Sequence, residues 1–137
     1  MPRSLLLALP ILAAGCDDTI FGTPEGGGNT VTETGYAGVV ALADANCMPC
    51  HSASGNSVGL GLDLETDFYA ATVNVASSYD DGHVLVVPSD AQSSLLYLKM
   101  TNAQPSGTGS LMPLQGLLPA ETVKVVEDWI VAGAPEE

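Results

Sequence analysis

Cys47-Met48-Pro49-Cys50-His51 is the stretch on which the reading of this chain depends. Two thiols two residues apart, followed at once by an imidazole, have the spacing of a covalent haem-attachment site: each thiol adds to one vinyl group of a porphyrin, and the histidine offers a nitrogen to the iron. A CxxC pair has competing uses. Half of a zinc site is one, but zinc needs further N, S or O ligands to complete a tetrahedron. Apart from the third cysteine, Cys16, only His51, His83 and carboxylates are on hand for that. A redox disulfide is another, and it belongs in a βαβ context that these flanks do not show. A plain structural disulfide is sterically difficult at this spacing and leaves His51 without a task.

Cys16 belongs to a different segment. Arg3 supplies a short positive region, and residues 5–12 form an apolar run too short to span a bilayer. The run closes on Ala13-Ala14-Gly15-Cys16, which resembles the lipobox of bacterial lipoproteins. That resemblance implies that residues 1–15 are a signal peptide and that Cys16 becomes the lipid-bearing N-terminus. Ala13 departs from the pattern, where Leu is usual, and Leu12 stands one position early. Ordinary secretory cleavage is the alternative, and it would leave Cys16 as a free thiol, a liability in an exported protein. Residues 16–34 read as a flexible tether, rich in Gly, Pro and polar residues around Thr23-Pro24-Glu25-Gly26-Gly27-Gly28. Residues 35–137 are then one folded domain.

The 137-residue chain carries sixteen acidic residues against three basic ones (Arg3, Lys99 and Lys124), a formal charge of −13 that becomes −14 once Arg3 is removed. Nucleic-acid binding is excluded on this balance, because phosphate neutralisation needs Lys and Arg. An acidic surface favours partners with a basic docking face. With 46% hydrophobic residues but only seven aromatics, the core is small and suits filling in part by something other than side chains.

Periodicity predicts three to four short helices and no sheet. Tyr36, Val40, Ala43 and Cys47 recur on one helical face over 36–46, and Pro49 forces the chain out of that helix. Thr66-Asp67 can cap a short helix bearing Phe68, Tyr69 and Ala71. Residues 84–87 read as extended. Ser89-Asp90-Ala91-Gln92 fits a capping box, with Ser89 as N-cap and Gln92 three residues on, for a helix over 90–100. The last helix, 119–132, opens on Pro119 and ends at Gly133 and Pro135, with Val123, Val126, Ile130 and Gly133 in one stripe and Trp129 beside it. Long loops in so small a domain call for something that organises them, and a covalent haem would. The fold class expected is all-α.

A haem iron held by His51 needs a second axial ligand or an open position. Four side chains are candidates: Met112, after a flexible loop and before Pro113; Met100, at the end of a predicted helix; His83; and Met48, too close to His51 to reach the opposite face.

From about residue 36 to the end, the chain resembles the small class I-type cytochrome c domains of bacterial exported proteins, lipoproteins among them. The matching residues are Cys47-x-x-Cys50-His51, Gly61-Leu62-Asp63-Leu64, Val87-Pro88-Ser89-Asp90, Ser94-Leu95-Leu96-Tyr97, Met112-Pro113 and Trp129-Ile130-x-x-Gly133-Ala134. Ser89 stands where Gly is common, and Leu118 where a Ser or Thr cap is common. The resemblance implies a small cytochrome c fold wrapped around one covalent haem c. Cys47 and Cys50 would carry the thioethers, His51 would be the proximal iron ligand and Met112 the distal one. It implies an electron carrier rather than an enzyme, passing single electrons between redox proteins on the periplasmic side of a membrane. A haem-based sensor, or an electron-transfer subunit of a larger oxidoreductase, is the alternative. Met/His ligation raises the potential relative to bis-His, and the acidic surface would work the other way.

Overall fold

The last helix does most to hold the fold together. A computed structural model describes residues 33–55, 61–79 and 82–137. The signal segment, Cys16 and nearly all of the 16–34 tether lie outside the described residues. Four α-helices are present, α1 (Gly35–Asn46), α2 (Phe68–Thr72), α3 (Leu95–Met100) and α4 (Ala120–Val131), and no strand forms among the described residues. The architecture is all-α.

α4 is amphipathic, and its sequence explains both ends. Pro119, in extended conformation, is its N-cap rather than its first turn. Glu121 in the first turn favours the positive end of the helix dipole. Thr122, Val123, Val126, Trp129 and Ile130 make the buried face. At the C-terminus Gly133 takes φ +99°, its N–H donates to the Ile130 carbonyl, and the Ala134 N–H donates to that of Trp129. This is a Schellman closure, which needs a left-handed residue at that position. Gly133 therefore ends the helix and is not part of its buried stripe. The Trp129 indole N–H donates to the Pro135 carbonyl at 2.7 Å, so the chain end folds back over the helix.

α1 packs against α4. Its buried residues are Gly38, Val39, Leu42 and Ala43, while Tyr36 and Val40 are half-buried. The buried stripe is thus rotated from the expected Tyr36–Val40–Ala43 line. Apart from Asp44 and Asn46 the segment is apolar or small on every side, so periodicity alone could not select the face. The helix stops at Asn46, ahead of Pro49, with Cys47 as C-cap. An aromatic cluster joins three helices: Tyr36 lies 6.0 Å from Trp129 between ring centroids, Phe68 lies 6.0 Å from Trp129, and Tyr36 meets Tyr69 edge-on at 6.1 Å. Such pairs contribute roughly 0.5–1.5 kcal/mol each beyond area burial.

α2 starts as the sequence predicts, with the Asp67 carboxylate accepting from the Ala70 N–H at 2.9 Å. Residues 84–87 are extended and lie between two neighbours without building a sheet. The Leu85 N–H donates to Val75, while Leu95 and Leu96 donate back to Val84 and Leu85.

The predicted helix over 90–100 is broken in two. Asp90, not Ser89, is the cap: its carboxylate accepts from the Ser93 N–H at 3.0 Å and the Ser93 hydroxyl at 2.7 Å, opening a 3-10 turn over Ala91–Ser93. Ser94 then leaves helical conformation (φ −90°, ψ 111°). Its buried hydroxyl donates to the Asp90 carbonyl and accepts from the Val87 N–H, so side-chain bonds to the backbone compete with the helix. α3 begins only at Leu95. Ser89 itself sits at φ +67°, with its N–H on the Ile130 carbonyl of α4. That left-handed conformation is one that favours glycine.

Gly38 marks the tightest approach in the core. A Cβ there would overlap the Glu33 carbonyl and crowd the Val125 side chain of α4. Helix propensity alone says Gly38→Ala should stabilise by about 0.5–1 kcal/mol. The overlap is with backbone and should dominate, so we expect a net loss of about 1–3 kcal/mol. Guanidinium unfolding of the two proteins checks the sign, and a more stable Gly38→Ala protein would refute the packing described.

Candidate functional site

The end of α1 feeds directly into a cavity of about 330 Å³, a size usual for small-molecule and cofactor pockets. Cys47 closes the helix. Its carbonyl accepts from the N–H groups of Cys50 (3.0 Å) and His51 (2.8 Å), which wraps residues 47–51 into a tight turn beneath α1. The His51 carbonyl in turn accepts from the Leu64 N–H at 2.8 Å, fastening the turn to the Gly61-Leu62-Asp63-Leu64 stretch. Asp63 stiffens that stretch, accepting from the Thr66 hydroxyl at 2.6 Å and from the N–H groups of Glu65 and Thr66. These bonds, the Thr66 hydroxyl first and the Glu65 N–H next, hold the Asp63 carboxyl below the usual range.

The cavity wall is mainly apolar, with Leu64, Phe68, Leu95 and Val126 among its residues. Three of the sequence-predicted site residues reach it: Cys47 and His51 from the turn after α1, and Met112 from the loop after α3. Cys50 is half-buried in the same turn and does not line the cavity. Cys47 and Cys50 are both free thiols. Burial pushes the Cys47 thiol up to about 11, with the Asp44 carboxylate adding to the effect, so it is held protonated at neutral pH.

Of the four candidates for the second axial ligand, Met100 and Met112 line the cavity. Met100 lines the cavity but is only 4% exposed and is part of the hydrophobic core. Met48 is packed against that core and does not line the cavity. His83 does not line it either; its carbonyl accepts from the Ser77 N–H. Met112 is half-buried, lines the cavity and stands apart from the core cluster.

The donor set decides what the site could hold. His51 Nδ1 is buried with no hydrogen-bond partner among the described residues, a costly state for a polar atom in a folded protein. No group of three or more His, Cys, Asp or Glu side chains comes together among the described residues, whereas a structural zinc site needs four such ligands. An iron already held by four porphyrin nitrogens needs only one or two protein ligands. Two thiols in one turn, an adjacent imidazole, a separate thioether and an apolar wall therefore fit a haem.

Charge is distributed unevenly around this site. From Ala91 to Ala120 the sequence contains no acidic residue, and its single charged residue is Lys99. Asp63 and Lys99 are the only charged residues lining the cavity among those described. The loop beyond Met112 exposes Leu114 and Leu117. Lys99 is the residue that sequence reasoning passed over. Its signal was present, a lone cation in Leu95-Leu96-Tyr97-Leu98-Lys99-Met100, in a chain with only two other basic residues.

Compared with known proteins, the chain matches no family model, no curated sequence and no solved structure.

The Asp63 turn should leave a mark on acid stability. Its folded-state carboxyl is depressed, so the stability it contributes is fully present above the unfolded Asp value near 3.9 and is lost as pH falls through the folded value. Asp63→Asn should flatten the acid limb of the stability curve below about pH 4. Unfolding midpoints measured from pH 2 to 7 check this, and an acid limb identical to that of the parent would contradict it.

Proposed function

We propose that the chain is an exported, lipid-anchored monohaem c-type cytochrome that carries single electrons between periplasmic or membrane redox partners. The observation that carries the reading is the convergence of Cys47, His51 and Met112 on one apolar cavity, with His51 Nδ1 buried and unpartnered. Cys47 and Cys50 would hold haem c through thioethers, with His51 and Met112 as its proximal and distal iron ligands. When bound, the haem supplies a one-electron couple.

The chain's own residues do the rest. Leu64, Phe68, Leu95 and Val126 give the cavity an apolar wall, and weakly polar surroundings strengthen electrostatic interactions within it. The bonds from the Cys47 carbonyl to Cys50 and His51, and from Leu64 to the His51 carbonyl, set the backbone from which the imidazole projects. No substrate bond is made or broken in this role, so the protein is a carrier and not an enzyme.

The charge pattern supports the partner class. The acids lie outside the Ala91–Ala120 stretch, and that stretch presents Leu114 and Leu117 to solvent. A redox protein with a basic docking face would be drawn by the acidic surroundings and settle on the apolar loop. The sparse acids near the cavity also soften the expectation that the overall negative charge governs the potential, because exposed acids at a distance are screened by salt. The lipid anchor rests on the sequence alone, on Ala13-Ala14-Gly15-Cys16 and the apolar run before it.

Purified mature protein should carry one haem that acid-acetone does not extract, and Met112→Ala should abolish the sulfur-to-iron charge-transfer band at the red end of the ferric spectrum. Complete extraction of colour would sink the thioether assignment. A band that survives the substitution would move the ligand to Met100 or remove methionine from the iron. Separately, Cys16→Ala should shift the protein from the membrane fraction to the soluble one; undiminished partitioning into detergent would refute the anchor.

A further inference from the structure

Lys99 is an unusual residue for its place. It is 9% exposed, it lies in the last turn of α3, and it is the only charge in thirty residues of sequence. A buried ammonium is costly unless its three donors are met. Here the Lys99 Nζ donates to the carbonyl of Thr108 and, at 3.3 Å, to that of Ser110, and it lies 5.1 Å from the centre of the Tyr79 ring. The Thr108 hydroxyl donates to the Pro105 carbonyl, bracing the same loop from within. Lys99 also acts through its backbone: its carbonyl accepts from the Met112 N–H at 3.0 Å. One residue thus grips the 108–112 loop at three points, the last of them on Met112 itself.

The loop has little else to fix it. Gly107 and Gly109 both take positive φ and flank Thr108. Gly109 also lies so close to Tyr79 and Lys99 that an added Cβ would overlap the Tyr79 hydroxyl and come within 3.3 Å of the Lys99 Nζ. Thr108 is 1% exposed although its neighbours are open to solvent. The loop is therefore drawn inward at the point where the ammonium holds its carbonyl.

We propose that Lys99 is the positioning residue of the distal side: by tying Thr108 and Ser110 to α3 it holds the Met112 thioether at the cavity. This inference rests on the reading that Met112 binds iron. A purely apolar residue at position 99 could pack the same volume, but it would leave the two loop carbonyls without their charged donor.

The test uses the haem-loaded protein with Lys99→Leu, which keeps much of the apolar stem and removes the donors, and Lys99→Arg, which restores a charged donor. Two readouts are needed. Imidazole binding to the ferric form reports how often the sixth position opens, and amide hydrogen exchange at Met112 reports the loop whatever the iron ligand is. Lys99→Leu should raise the imidazole-binding rate and the Met112 exchange rate by about tenfold or more, weaken the charge-transfer band and leave the attached haem unchanged. Lys99→Arg should return both rates to within about threefold of the parent. Parent-like rates in Lys99→Leu would overturn the proposal. A parent protein with no charge-transfer band would instead remove the Met112 ligation on which it rests. Should Lys99→Leu fail to fold, Gly109→Ala perturbs the same grip from the loop side. Faster imidazole binding in that variant supports the proposal, and an unchanged rate contradicts it.

Discussion

The contact between α1 and α4 is the constraint on which the rest of the structure depends. Trp129 brings Tyr36 of α1 and Phe68 of α2 to one point, and its indole N–H binds the returning chain end. Because Cys47 caps α1, whatever fixes α1 also fixes the start of the Cys47–His51 turn. The Cys47 carbonyl then sets the next four residues, and the His51 carbonyl fastens them to Leu64. The packing of α1 on α4 is thus linked through the Cys47 turn to the placing of the His51 imidazole.

The half of the cavity around Met112 is built by a different kind of force. Its wall comes from α3 and a loop with little regular structure, and polar bonds to the backbone do the work that packing does around α4. Ser94 breaks one helix to bind Val87 and Asp90, and Lys99 gathers Thr108, Ser110 and Met112. Buried polar groups of this kind specify one arrangement when every partner is met, and they are costly when one is missing. The exclusion of acids from Ala91 to Ala120 is consistent with that design, since a carboxylate near Lys99 would compete for its donors.

Much of this was legible in the sequence where a single residue type has one physical use. Asp67 as a cap, Pro119 and Gly133 as the bounds of α4, and the turn at Cys47–His51 follow from local chemistry. Legibility ended where tertiary partners decide. The buried face of α1 depends on α4, because α1 is apolar or small nearly all round. The break at Ser94 depends on an extended segment seven residues earlier, so the capping box at Ser89 was a plausible but displaced reading. Met112 could be named from its Pro113 neighbour and a family resemblance, yet its separation from the core, in contrast to Met100, needed the folded chain. The grip of Lys99 joins residues up to thirteen apart through backbone carbonyls, which no side-chain pattern announces.

In the proposed role, the cavity joining Cys47, His51 and Met112 holds a six-coordinate haem for electron transfer. The most direct measurement is the visible spectrum of the purified mature protein, ferric and ferrous, followed by carbon monoxide added to the ferrous form. Low-spin spectra are expected in both states, with a ferrous spectrum that carbon monoxide leaves unchanged. A protein without haem absorption would contradict the claim outright. Prompt carbon monoxide binding would contradict the carrier role and point to an open-site sensor.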